Sequence, residues 1–425
     1  MTPALAIAFW SLASLTTIGV PLYGWRARGR SYAIFVLVVL GLSLPGALIT
    51  HARLVSVVPP AITVWLDAAF AYSMAAAGLH LAGLVAARLR SPLFRLGVSI
   101  PGMTFLAAGA LCGTWLLLWL PVTAVLRLLG HSQAVAALRT LDVIPLGIAV
   151  VSVLTSVRPV REIVRLPLAR HGPPAIARVP LERHRWRRPP PPARRPLRVV
   201  QIADPHLGPW QPVAKLRRHL GELLRHQPDL VVLTGDFLTM EGAGTPGALA
   251  EALAPLETVA GRCIAIFGNH DHAYPGEVRH ALSSIGATLL VDDELVMETP
   301  VGPVQIIGAD YVGRGRRAHL HDLLGRFPRR DGCLRILLLH DPLGFRHVAP
   351  GEVDLTISGH THGGQLGLVS LGLDWTVLSH SPWPDHGLFA HGASRLYVHR
   401  GTGFYGFPLR IGVPGEASLL EVLPP

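Results

Sequence analysis

The hydrophobic pattern changes character twice along the chain. Up to residue 157 it forms five long apolar stretches, at 4–24, 31–50, 61–87, 102–126 and 141–157. A helix needs about 20 apolar residues to cross a bilayer, so 1–157 is expected to be an all-α membrane region of four or five spans, the last the weakest. Across 158–196 the periodicity lapses into a basic, proline-rich segment that reads as a juxtamembrane linker. From Leu197 short β-branched runs alternate with helical stretches. Such runs fit strands covered on both faces, with helices between them, and 197–425 is expected to be a layered α/β domain.

Composition agrees with a membrane protein: of 425 residues half are hydrophobic and 15% charged, against roughly 25% charged in soluble proteins. The net charge of +11 is unevenly spread. Residues 1–157 carry nine Arg and two acids, residues 158–198 twelve Arg and two Glu, and the remainder seventeen basic and twenty-three acidic residues. The basic charge thus belongs to the spans and their collar, around Arg183, Arg185, Arg187 and Arg188, and no nucleic-acid partner is expected. Three widely spaced cysteines, with no C-x-x-C pair, exclude a disulfide framework.

Arg26, Arg28 and Arg30 mark the first loop, and Arg88, Arg90 and Arg95 the third. The positive-inside rule then puts the N-terminus outside and everything after 157 in the cytoplasm, for an integral protein of the inner or plasma membrane. Loss of the fifth span would reverse that. Asp67, inside the third span, is either functional or close enough to one end to reach the interface.

Five apolar runs end in polar residues suited to metals: Asp204-Pro205-His206, Gly235-Asp236, Gly268-Asn269-His270-Asp271, His340-Asp341 and Gly359-His360-Thr361-His362. Ligands in layered α/β sheets bind at the carboxyl ends of strands, and both Asp-x-His and His-x-His set two donors on one short loop. Carboxylate, imidazole and amide donors without thiolate suit Mn, Fe or Zn. Seven donors exceed one ordinary site and fit two divalent ions sharing a bridge.

This ordered set resembles the calcineurin-like metallophosphoesterase family, with its αββα sandwich, and the likeness runs from 197 to 425. The resemblance implies that Asp204, His206 and His362 hold one ion, that Asn269, His340 and His360 hold the other, and that Asp236 bridges. It implies that His270 is a catalytic histidine facing the phosphate, oriented by Asp271, while His272 is structural or exposed. The Gly359–Gln365 stretch and the tail from Arg400 through Arg410 are similar to the bacterial membrane-anchored subgroup. Two departures, the lack of a proline-containing loop after Gly367 and the basic Gly313–Arg317 insertion, bear on substrate preference.

The expected activity is hydrolysis of phosphodiester or pyrophosphate bonds by a hydroxide bridging two ions, with a lipid-linked substrate motivated by the spans and collar. The alternatives are a phosphomonoesterase or cyclic-nucleotide phosphodiesterase merely placed at the membrane, or a non-catalytic scaffold. Arg314, Arg316 and Arg317, after the expected strand Val304–Gly308, are either a solvated loop or a contact for an anionic substrate.

Overall fold

The computed structural model describes residues 3–185, 189–404 and 406–424, with side chains from residue 7 onward; Arg187 and Arg188 of the expected collar lie outside these residues. The chain divides into two compact units, Met1–Leu154 with Gly406–Leu409, and Thr155–Tyr405 with Arg410–Pro425.

Among the described residues five helices are long and apolar enough to cross a membrane: Ile7–Arg28, Arg30–Val55, Pro60–Ala86, Pro92–Leu128 and Ser132–Ser156. The weak fifth stretch is thus the end of a 25-residue helix that begins nine residues earlier than its apolar run. Small residues let the second and fourth helices approach closely: a Cβ on Gly46 would lie 2.2 Å from the Gly109 carbonyl oxygen. Asp67 is buried, with Oδ1 2.9 Å from His51 Nε2. Asp142 is paired with Arg53 at 3.1 Å and accepts from the Trp115 indole N–H. Pairing of this kind offsets the cost of intramembrane charge.

Among the described residues the second unit has fourteen strands: β1 (Val160–Pro167), β2 (Ala177–Arg178), β3 (Glu182–His184), β4 (Leu197–Ile202), β5 (Leu230–Leu233), β6 (Cys263–Ala265), β7 (Thr288–Leu289), β8 (Asp293–Thr299), β9 (Gly302–Ala309), β10 (Leu334–Leu339), β11 (Leu355–Ser358), β12 (Gly387–His391), β13 (Ser394–Val398) and β14 (Glu416–Leu423). They form two mixed seven-stranded sheets, in the orders β3-β1-β14-β4-β5-β6-β7 and β2-β12-β13-β11-β10-β9-β8. Inward side chains of both sheets, among them Val199, Val232, Ile264, Ile306, Leu338 and Ile357, make one buried core. On the outer face of the second sheet Leu320, Leu323 and Leu324 of helix Arg316–Arg326 pack with Ile307, Leu337 and Val398. Helix Val213–Leu224 buries Leu216, Leu220 and Leu223 at helical spacing. The expected layered α/β domain behind an all-helical region is what the structure contains.

The segment read as a linker is corrected. Residues 160–184 are integral to both sheets: β1 runs parallel to β14, β3 caps β1, and β2 pairs with β12. The reason is a period-2 pattern hidden under the arginines, since Glu162, Val164 and Leu166 of β1 are buried while their neighbours face outward. Arg183 and Arg185 are likewise tied to the domain, 2.7 and 3.0 Å from the Glu162 carboxylate. Arg400, fully buried, reaches Glu162 at 2.7 Å and Glu416 at 3.2 Å. Burial opposes ionisation of both glutamates, but Arg400 and Arg183 outweigh it, helped at Glu416 by His399, and both carboxyls are held below the ordinary range.

Breaking a buried ion pair costs about 3–5 kcal/mol, because the partner charge stays buried. The Glu162→Ala variant should therefore lower the unfolding free energy of the purified protein by that order in denaturant titrations. The sign with pH follows: carboxyls depressed in the fold contribute stability above about pH 4.3 and lose it as pH falls toward their folded values. Glu162→Gln should flatten that acid-side loss in thermal melts.

Candidate metal centre

Every donor expected from the sequence lies just beyond a strand end: Asp204 and His206 after β4, Asp236 after β5, Asn269 after β6, His340 after β10, His360 and His362 after β11. The first three of these strands belong to one sheet and the last two to the other, so the donors meet only where the two sheets face each other. That seam is pinned by buried polar bonds. Gln201 on β4 donates to the Thr234 hydroxyl at 3.0 Å and across to the Ser358 carbonyl of β11 at 2.9 Å. His340 Nδ1 lies 2.7 Å from the Thr234 carbonyl, which fixes its N–H there and turns Nε2 toward the other donors.

Two groups of donors result, Asp204 with His206 and His362, and Asp236 with His340 and His360, each within 4.8 Å of one another. His206 Nε2 and His362 Nε2 are 3.2 Å apart. His340 Nε2 lies 3.1 Å from Asn269 Oδ1 and 3.2 Å from His360 Nδ1. Asp236 Oδ2 is 3.8 Å from His206 Nε2 of the first group and 3.4 Å from His340 Nε2 of the second, and so faces both.

The loops pay for this convergence in backbone conformation. Asp204, His206, Asp236, His360 and His362 all have φ between 43° and 73°, a left-handed region that costs on the order of 1 kcal/mol or more for residues with a Cβ. The glycines beside them are dictated by space: a Cβ on Gly235 would lie 2.2 Å from the Gly268 nitrogen, and one on Gly268 2.2 Å from Asp236 Oδ1. Backbone amides also hold the carboxylates, the His360 N–H donating to Asp204 at 3.0 Å and the His270 N–H to Asp236 Oδ1 at 2.9 Å.

The electrostatics suit cations. Burial lowers His206 to about 3 and His360 to about 4, leaving neutral rings, the form that can coordinate a cation. Burial works against His340 as well, but the Asp236 carboxylate prevails and raises it to about 10; a divalent ion competes with that proton for the same Nε2. Burial opposes the Asp236 charge, and His340, His206 and His270 hold its carboxyl below the ordinary range. Burial pushes Asp204 up to about 7. Two inward carboxylates, four imidazoles and an amide oxygen, with no thiolate, are a donor set that fits divalent ions.

His270 leaves its ring one-third exposed at the rim, with Nε2 4.0 Å from Asp236 Oδ2. Asp271 is corrected: its carboxylate does not serve the His270 ring but accepts the backbone N–H groups of Asp236 and Gly268 (2.7 Å each) and of Phe237 (2.9 Å). It clamps two ligand loops together. His272 pairs with Asp310 at 3.0 Å. Of the three arginines singled out, Arg316 reaches the rim, where it is 2.8 Å from Asp341 Oδ2, itself 3.9 Å from His360 Nε2; Arg314 and Arg317 are exposed.

Other residues support the donor loops without being donors themselves. Arg410, fully buried, donates to the carbonyls of His362 (3.1 Å), Arg400 (2.7 Å) and Gly403 (2.6 Å), and a Cβ on Gly403 would lie 2.2 Å from the Pro205 carbonyl oxygen. Arg400, Gly403 and Arg410 thus back the Asp204 and His362 loops. Gln201 had a visible signal, a lone amide inside an apolar strand run.

Residues 197–364 match the family model described as calcineurin-like phosphoesterase. Among curated proteins the chain is 28% identical over 233 residues to the phosphodiesterase YaeI of Escherichia coli (strain K12), covering 54% of this chain and 83% of that protein. It is also 28% identical over 251 residues to the uncharacterized metallophosphoesterase YkoQ of Bacillus subtilis (strain 168), covering 54% and 85%. A transmembrane protein with metallophosphoesterase domain from Bos taurus is 28% identical over 275 residues, 58% of this chain and 57% of that one. The family match spans all seven donor positions, and together with relatives named phosphodiesterase or metallophosphoesterase it supports reading residues 197–364 as a calcineurin-like phosphoesterase domain, a metal-dependent hydrolase of phosphoester bonds.

Proposed function

We propose that this is a membrane-anchored, dinuclear phosphoesterase that cleaves phosphodiester or pyrophosphate bonds, with a lipid-linked compound as substrate. The reading is carried by Asp236 Oδ2, which lies within 4 Å of an imidazole from each donor group, as a bridging ligand requires. Asp204, His206 and His362 would hold one ion, Asn269, His340 and His360 would hold the other, and Asp236 would serve both. Bound divalent ions supply Lewis acidity toward phosphoryl oxygens and lower the pKa of coordinated water. In hydrolysis a water oxygen would bond to phosphorus and give up a proton to solvent, the bond from phosphorus to the leaving oxygen would break, and His270 would deliver a proton to that oxygen. Asp271 and Arg410 act on this step only by holding ligand loops in place.

The bacterial membrane-anchored subgroup is supported by the Gly359–Gln365 stretch and by the five helices. Diester chemistry is favoured by the likeness to a protein named phosphodiesterase. Five spans and arginine-rich first and third loops support a cytoplasmic catalytic domain.

Asp236→Asn should lose both metal occupancy, by elemental analysis, and turnover; two ions retained at wild-type activity would refute the bridge. His270→Ala should keep both metals while turnover on a chromogenic diester falls by orders of magnitude, because a group that is not a ligand acts on the transition state. A reporter fused after Pro425 should show cytoplasmic behaviour, and a cysteine in the fourth loop should react with an impermeant reagent from outside.

A further inference from the structure

Directly after the His-x-His loop the chain makes an ordered excursion that no step above uses. Its two arms pair as a short ribbon: the Leu368 N–H donates to the Trp375 carbonyl at 2.8 Å and the Val377 N–H to the Leu366 carbonyl at 2.9 Å, with Gly367 opposite Thr376 between them. The arms close only over glycine, since a Cβ on Gly367 would lie 2.5 Å from the Trp375 carbonyl oxygen. The base is fixed. The Gly367 N–H donates to the Ile411 carbonyl and the Ser370 N–H to the Gly412 carbonyl. The buried Thr376 hydroxyl donates to the Asp385 carboxylate at 2.5 Å. The Asp385 carbonyl in turn accepts the hydroxyl of Thr361, which stands between the ligands His360 and His362.

Side chains alternate faces along such a ribbon. Gly367 and Thr376 turn inward, and Leu366, Leu368, Trp375 and Val377 share the opposite, exposed face. The tip adds Leu371 at 75% and Leu373 at 54% exposure, and Trp383 flanks it. Val296 aside, these are the only large apolar side chains exposed on the second unit among the described residues. Apolar residues gathered on one rigid loop, where scattered ones would be unremarkable, mark an interaction surface.

We propose that this ribbon is a membrane-docking element that seats the rim of the metal centre on a lipid bilayer. The chain itself argues for that occupant. Its last membrane-capable helix ends at Ser156 and β1 begins at Val160, so a covalent tether of three residues keeps a bilayer within reach of the domain. The order of residues fits an interface: leucines form the tip, tryptophans stand behind it at headgroup level, and the exposed Arg346 shares with Trp375 and Trp383 a groove of about 540 Å³, where it faces anionic headgroups. Asp374, the one acid between 366 and 383 and strongly exposed, limits the insertion to the shallow depth of an interfacial element. A bilayer-embedded phosphodiester then meets the metal donors at the foot of the ribbon. Docking itself stands apart from the phosphoesterase reading, and only this consequence for substrate choice rests on it.

The test uses the full chain in phosphatidylcholine–phosphatidylglycerol vesicles. Cys112 and Cys263 are buried, so Cys333→Ser leaves a background in which Leu371→Cys takes a nitroxide label selectively, with Val296→Cys as the control. At 371 the label should be more accessible to oxygen than to a water-soluble nickel chelate, and at 296 the reverse. Chelate accessibility at 371 equal to the control would overturn the proposal, as would exclusion of both reagents with spin–spin broadening, which means a second copy covers the ribbon. In a second arm, Leu371→Asp combined with Leu373→Asp should lower the ratio of turnover on a bilayer-embedded diester to that on a soluble chromogenic diester by roughly tenfold or more, with metal content unchanged as the check on folding. An unchanged ratio would reject the role in substrate access. If wild type cleaves neither diester, the phosphoesterase reading fails while the nitroxide measurement still decides docking.

Discussion

The domain depends on a seam between two sheets. No single sheet end offers seven donors around one point, and the two β-sheets facing each other do so only if their strand ends are held in register across the gap. Gln201, bonded to Thr234 in its own sheet and to the Ser358 carbonyl in the other, and His340, bonded back to the Thr234 carbonyl, supply that registration. These bonds lie in a dry interior, where a hydrogen bond is electrostatically strong and an unmade one is costly. One of them does double service: the contact that fixes the seam also fixes the His340 tautomer, so structure and ligand readiness have one cause.

Convergence has a local cost, which falls on the backbone. Five of the donors take left-handed φ values, and two adjoining glycines are enforced by approaches of 2.2 Å. Such strain persists only where the surroundings over-determine it. Here they do, through Asp271 on three amides, Asp204 on the His360 amide, and Arg410 on three carbonyls. Asp271 shows how a residue inside a motif can be read wrongly. Its place next to His270 invites the role of orienter, yet its two oxygens are turned to three backbone N–H groups of the ligand loops.

The edge of the domain follows the same logic with charges. Glu162, Arg183, Arg400 and Glu416 form a buried network joining β1, β3 and β14 to the tail behind the metal loops. A strand rich in arginine is admitted to the sheet because its one inward acid finds guanidinium partners. The apolar ribbon after the His-x-His loop is the reverse case, side chains that the core does not take up on a loop the core holds firmly.

The sequence by itself determined much of this protein. The apolar stretches, expected to give four or five spans, match five membrane-capable helices among the described residues, and the apolar runs before the donors are strands, because hydrophobic period and run length are local quantities. That seven candidate donors gather at strand ends was legible for a related reason: side chains two residues apart sit on one short loop. What tertiary structure alone decided involves partners far apart in the chain. That 160–184 belong to both sheets depends on β14 and β12, more than 200 residues onward. The clamp made by Asp271, the support from Arg410 and the two sidedly bonded Gln201 exist only once loops from different strands are packed together. Whether Leu366, Leu368, Trp375 and Val377 form a core or an exposed face was likewise undecided by their hydrophobicity; the pairing of two short arms over Gly367 settled it, since alternation sends one face inward and leaves the other to whatever lies outside.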